Sequence, residues 1–353
     1  MTARQLLVVV ALVQGALLVV LMLLILINRW VRGRARARLH PRRLRLDATM
    51  RGWALGEVNA ELVVRALVAL PRAAAVESLV AWAARLSGER WRALAVELAR
   101  RPWAAQFRRA ARSRAWWKRL QAARFLSVAS APEDAPTLAR LLEDPHPAVH
   151  MAAAAALART PEPLLVRLVV HRVPQMTSPV QAYYASALRN AHALAVPLVI
   201  EWLAQVYDPA LPRLVEFAGR LGDARLREPI TTHAGHRNAE VRVQVARALG
   251  GFPHPRSVPA LRALTTDSVW EVRAQATRSL GRIADPTSLD PLKARLGDAE
   301  WWVRLRAALA LTRLGASGRD ALLAAEIGPH ADARYVARLV LGLSSQALAE
   351  FAA

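Results

Sequence analysis

Nine histidines and no cysteine define the side-chain chemistry open to this 353-residue chain. Without a thiol there is no cysteine nucleophile, no thiolate metal ligand and no disulfide, which is compatible with a reducing compartment. His233 and His236 are three apart and can share a helix face, the start of an imidazole metal pair, but no carboxylate stands in ligand register with them. His146 and His150, four apart at a predicted turn and helix start, suit capping or solvated roles. No histidine is followed by glutamate. The chain also lacks a Gly-Lys phosphate loop, a dinucleotide-binding glycine pattern and a Gly-x-Ser-x-Gly nucleophile turn. These residues predict no catalytic site, no cofactor and no metal.

Charge is the second chemical signal. The net charge is +22. Residues 29–124 hold 23 Lys and Arg against 6 Asp and Glu, whereas residues 125–353 hold 25 against 21. From Leu98 to Pro132 there is no acidic residue, and Arg100, Arg108, Arg112, Lys118 and Arg124 alternate with Trp103, Trp116 and Trp117. Such a stretch can meet anionic lipid, an acidic protein or, least favoured here, nucleic acid. The competing reading makes the tryptophans core and the arginines a solvated face.

The elements that position these groups repeat. Segments starting at Val241, Val272 and Val303 repeat one pattern at a spacing of 31 residues, and weaker copies start at Leu211, Val180, Val149 and Trp117. A fixed period in this range marks a solenoid. Each copy opens with apolar residues at helical spacing, such as Val241, Val245, Ala248 and Leu249, followed by Gly250 or Gly281 where a helix can end left-handed. A second helix is predicted near Pro136, Pro197, Pro229, Pro259 and Pro291, since proline suits a first helical turn. The unit closes on Asp144, Asp208, Asp267 or Asp298. Pro161, Pro163, Pro174 and Pro179 predict a kink or insertion in the third unit.

Helix, turn, proline-started helix, Asp and then Val-Arg resembles the short bacterial HEAT repeat also found in phycobilin lyase-like proteins. The resemblance covers residues 117–337 and is tightest in the last three units. It implies an all-α, armadillo-like solenoid in which Asp267, Asp298, Arg242, Arg273 and Arg304 form a ladder between repeats, as structure rather than ligand contacts. It also brings two enzymatic relatives into view. HEAT-type metal hydroxylases rely on His-Glu pairs that this chain lacks, and lyase chemistry on phycobiliproteins does not fit a membrane anchor.

That anchor is read from the N-terminus. Leu6 to Ile27 carries no charge and would span about 33 Å as a helix. Arg29, Arg32, Arg34, Arg36 and Arg38 follow, with Trp30 where an interfacial aromatic would sit. The charge bias predicts a single-pass protein of the bacterial inner membrane, N-terminus out and solenoid in the cytoplasm. Its arginines would rest on anionic lipid headgroups.

The expected organisation is an anchor at 1–28, a basic juxtamembrane linker at 29–52, divergent capping helices at 53–116 and the solenoid at 117–353. The expected function is a non-enzymatic scaffold or adaptor for protein partners in a membrane-associated complex, with envelope polysaccharide assembly as one client class. A nucleic-acid-binding protein and a HEAT-type lyase or hydroxylase are the alternatives, with nucleic acid disfavoured because the repeats are near neutral. Partner contacts are expected on the second helices, at Arg262, Lys293, Arg295, Glu201 and Gln205.

Overall fold

A computed structural model describes residues 3–86, 88–159, 161–205, 209–252 and 254–352, with side chains outside the description at 3–13, 28, 31–33, 35, 36, 38, 345, 349 and 352. Asp208 and the side chains of Arg32, Arg36 and Arg38 therefore lie outside the described residues. All described elements are helical, and the chain forms two compact units, Met1–Asp134 and Ala135–Ala353.

The N-terminal unit contains α1 (Ala3–Leu55), α2 (Ala60–Val68), α3 (Arg72–Ala83), α4 (Glu89–Arg100), α5 (Pro102–Ala110) and α6 (Trp116–Leu126). The end of α1 packs on α2 and buries Leu46 and Met50 completely. Phe107 and Phe125 stack at 4.3 Å, and the Trp103 ring meets both edge-on. Trp91 is buried and donates to the Val128 carbonyl at 3.0 Å, and Trp82 donates to Asp47 at 2.8 Å. Most of these indoles thus serve the core, and Trp116 and Trp117 remain exposed. Helix α6, which opens the first predicted repeat, packs on α3 within this unit.

The transmembrane anchor is corrected. Among the described residues no helix is long and apolar enough to cross a membrane. The apolar run with described side chains extends from Gln14 to Ile27, about 21 Å of helix against the ~30 Å of a bilayer core. The remainder of the expected span, before Gln14, lies outside the described side chains. The interfacial reading of Arg29, Trp30, Arg32, Arg34, Arg36 and Arg38, the membrane orientation and the envelope client all depended on that span. Arg34 instead lies over the Trp30 ring at 5.1 Å, a contact within one exposed helix face.

In the C-terminal unit the period becomes two helical layers. First helices are α8 (Pro147–Ala154), α10 (Ser178–Ala187), α12 (Leu211–Leu221), α14 (Ala239–Gly250), α16 (Trp270–Ile283), α18 (Trp301–Leu311) and α20 (Ala331–Leu341), each packed on the next first helix. Second helices are α7 (Ala135–Leu142), α9 (Pro163–Arg172), α11 (His192–Gln205), α13 (Arg227–Thr231), α15 (Val258–Leu264), α17 (Leu289–Arg295) and α19 (Gly315–Glu326); α21 (Ser345–Ala352) closes the unit against α18. The apolar register explains the layering, because Val241, Val272 and Val303 are fully buried, as are Leu261 and Leu292 one helix later.

Two local expectations change. Pro259 begins α15 at its first turn, but Pro197 sits inside α11. Gly250 and Gly281 are helical, not left-handed. A Cβ on Gly250 would lie 2.4 Å from the Ser279 hydroxyl, and one on Gly281 would lie 2.6 Å from Ala310 Cβ. These glycines let consecutive first helices touch, a contact already present between Gly219 and Ala248. Left-handed helix ends fall instead at Gly222, φ 68°, and at Ala284, φ 55°. Gly222→Ala should therefore lower stability by about 1 kcal/mol, measured by urea unfolding, because a Cβ is disfavoured there.

Between Val149 and Val180 short 3-10 segments interrupt the helices at Ala155–Ala158 and Val173–Gln175, as such segments also do in later units. Prolines at 163 and 179 each start an α-helix just beyond.

Candidate functional site

The stacked first helices carry two sets of arginines with opposite fates. The first set is used up between repeats. Arg242 forks onto Asp267, with Nε and Nη2 at 2.7 and 2.8 Å, and Arg273 forks onto Asp298 at 2.8 and 2.8 Å. Each also donates Nη1 to two backbone carbonyls of the preceding turn, His236 and Arg237 for Arg242, Asp267 and Ser268 for Arg273. The aspartates accept the backbone N–H of Val269 and Glu300, so one carboxylate ties off the turn leading into a helix and pins the neighbouring repeat.

Arg304 makes the same carbonyl contacts, to Asp298 and Ala299, but its nearest carboxylate is the exposed Asp332 at 3.6 Å. Arg334 repeats the carbonyl contacts at Gly328 and Pro329, a rung the sequence reading missed because no Val-Arg marks it. Another missed pair is in the N-terminal unit, where Arg108 forks onto the buried Asp134 at 2.6 and 3.0 Å. Its separation of 26 residues nearly matches the 25 of the ladder, and that was the available signal.

Where the Val-Arg signature is absent, the coupling differs. Glu216, buried on α12, accepts hydrogen bonds from Ser178, Arg213 and Arg220. His150 faces the Tyr184 hydroxyl at 3.1 Å.

These environments fix the pH response. Burial opposes ionisation of Asp267 and Asp298, but Arg242 and Arg273 with the Val269 and Glu300 N–H groups outweigh it and hold both below the usual carboxylate range. Asp223 is held at about 2, chiefly by its hydrogen bond from Arg225. Burial pushes His150 and His233 below the ordinary histidine value, with nearby cations adding to it. All of these folded values lie below the unfolded ones. The stabilisation is therefore complete above the unfolded value and is lost as pH falls. Thermal melts should show a shallow loss of stability starting near pH 6.5, from the histidines, and a steep one below about pH 4, from the carboxylates.

The second arginine set has no ion-pair or hydrogen-bond partner among the described residues. On α16, Arg278 and Arg282 are one turn apart. On α18 and the 3-10 turn after it, Arg306, Leu309 and Arg313 follow at helical spacing. These residues line one hollow of about 310 Å³ whose remaining wall is Gly281, Ala310, Thr312 and, from α21, Leu348 and Phe351. Burial and the neighbouring guanidiniums of Arg306, Arg282, Arg247 and Arg313 push Arg278 below the ordinary arginine value. Burial, then Arg282, does the same to Arg306.

The residues expected to contact a partner fall in separate places. Glu201 and Gln205 on α11 line a smaller hollow of about 130 Å³ with Arg167, His171 and Trp202. Arg295 is half-buried and reaches Asp298 at 3.3 Å, so it reinforces the ladder. Lys293 is exposed beside Asp290 at 3.6 Å, and Arg262 is exposed on α15. Among the described residues, no group of three His, Asp or Glu side chains converges in a metal-binding arrangement, and His233 and His236 lie 6.3 Å apart, ring to ring.

Paired helices stacked at a constant period, with an Asp–Arg ladder between them, define an α-solenoid repeat array. Residues 227–312 and 264–342 match the family model of HEAT repeats, so this part of the chain is an array of HEAT repeats. No curated protein matches the chain. Among solved structures it is similar to Kap121p bound to Pho4p, at 14% identity and a TM-score of 0.46 over 80% of this chain and 38% of that one. It is also similar to human deoxyhypusine hydroxylase in complex with glycerol, at 18% identity and a TM-score of 0.31 over 78% of this chain and 97% of that one. An engineered protein matches at 18% identity and a TM-score of 0.36 over 84% and 98%.

Proposed function

We propose that this chain is a non-enzymatic scaffold that binds protein partners through its HEAT repeats. A HEAT-repeat solenoid is an extended, largely preformed surface, so binding a partner costs little ordering of the scaffold itself. The observation that carries the reading is the division of labour among the first-helix arginines. One set is spent on inter-repeat geometry, and a second set on the same helices is left facing a hollow. Chemistry needs converging reactive groups, whereas this arrangement offers converging recognition groups.

The test is covalent crosslinking of the full chain in an extract of its native cell, followed by mass spectrometry of the crosslinked peptides. The reading predicts one reproducible protein partner whose crosslinks concentrate on residues 227–342. It is overturned if no protein crosslinks saturably there while the purified chain carries a stoichiometric metal or turns over a small substrate.

A further inference from the structure

We infer that the hollow between α16, α18 and α21 is the docking site for an acidic peptide segment of the partner, its carboxylates received by Arg278, Arg282, Arg306 and Arg313 and an apolar side chain by the wall beneath them. The inference rests on the scaffold reading and names the chemistry of its ligand.

The repeat register places these side chains together. Stepping by 31 residues, Gln275 is followed by Arg306 and Arg282 by Arg313, so two rows of the first-helix surface converge on one hollow. Unlike Arg242 and Arg273, none of the four arginines has a hydrogen-bond or ion-pair partner among the described residues. The C-terminal unit as a whole holds 25 Lys and Arg against 19 Asp and Glu, so the cluster is a local concentration on a nearly balanced surface. Mutual repulsion is stored there, since burial and the surrounding guanidiniums both disfavour the charge on Arg278. An incoming polyanion relieves it.

The wall selects among anions. Leu309, Leu348 and Phe351 give the hollow an apolar side, which a bare phosphate or a sugar–phosphate backbone cannot use and which an aliphatic or aromatic residue between carboxylates can. A hollow of about 310 Å³ admits one or two side chains and is far too small for a nucleic-acid duplex. Guanidinium forks receive carboxylates in bidentate geometry, and pairs that are partly desolvated beside an apolar wall hold more strongly than those in open water.

The experiment is a fluorescence titration of the full chain with a labelled nine-residue peptide of glutamates around one central leucine. Wild type should bind it saturably. Arg282 and Arg313 are exposed and face other arginines, so the double variant Arg282→Glu/Arg313→Glu should melt at or above the wild-type midpoint while weakening binding at least tenfold. Exchanging the central leucine for serine should weaken it severalfold. Unchanged binding by the double variant overturns the inference, as does equal or tighter binding of a nine-nucleotide single-stranded DNA. If a native partner crosslinks equally to wild type and to the double variant, the scaffold reading stands and this docking site is wrong. If the peptide result holds but no protein crosslinks to the repeats, the site's chemistry stands and the scaffold reading fails.

Discussion

Asp298→Ala is expected to destabilise the C-terminal unit by about 3 kcal/mol. The Asp298 carboxylate is nearly inaccessible and receives Arg273 Nε and Nη2 at 2.8 Å each, Arg295 at 3.3 Å and the Glu300 backbone N–H at 3.0 Å. Truncation leaves the Arg273 guanidinium, which is itself only 13% exposed, without its forked counter-charge and removes the acceptor of the Glu300 N–H in the turn before α18. A largely buried charge left unpaired costs more than the pair contributed, and the lost turn hydrogen bond adds to it. Lys293→Ala removes an exposed pair from the helix just before it and should cost under about 1 kcal/mol. Urea unfolding followed by circular dichroism separates the two. In a solenoid the damage should spread only to neighbours, so amide exchange should rise in α16 to α18 and leave α8 to α10 unchanged. Equal effects of the two substitutions would mean that the ladder does not hold the repeats.

Gly281→Ala is expected to lower stability by about 2 kcal/mol, against the helical propensity of the two residues. In an open helix interior the same change gains up to ~1 kcal/mol. At Gly281 the new Cβ would fall 2.6 Å from Ala310 Cβ and 2.7 Å from Ala310 Cα, and a backbone atom cannot rotate out of the way. Helices α16 and α18 must then separate, which also widens the arginine hollow that Gly281 lines. Gly297→Ala has open space and should be neutral within about 0.5 kcal/mol. Matched thermal melts of the two variants decide the sign, and a stabilised Gly281→Ala would refute the close approach of the first helices.

The periodic part of this fold was legible because its signals are local and recur. The 31-residue echo, the buried valines at 241, 272 and 303 and the aspartates at 267 and 298 each occupy the same register in their unit, so spacing alone points to stacked helix pairs. Spacing carries no interhelical distance, however. Gly250 and Gly281 fit a helix end equally well in sequence, and only the approach of Ser279 and Ala310 reveals their role. Pro197 fitted a first turn by register, although α11 had already begun at His192.

The site was less legible than the fold. The expected contacts were exposed charges on the second helices, yet Arg295 is engaged by the ladder, and the converging arginines, with no partner among the described residues, stand on α16, α18 and the 3-10 turn after it. The repeat register sets those arginines side by side, but the apolar wall of the hollow depends on α21 bringing Leu348 and Phe351 against α18, and no periodicity announces that. Arg108 was read as a member of a basic stretch, since its near-ladder spacing to Asp134 falls ahead of the units in which Val-Arg marks the register. The membrane reading fails on a different ground: among the described residues no helix is long and apolar enough to cross a membrane.

Amide hydrogen exchange of the full chain, measured alone and in complex with its crosslinked partner, tests the central claim most directly. The account predicts new protection on α16, α18 and α21, where Arg278, Arg282, Arg306, Arg313 and Phe351 line the hollow. Protection confined to residues outside 227–342, with exchange of those three helices unchanged, would contradict it.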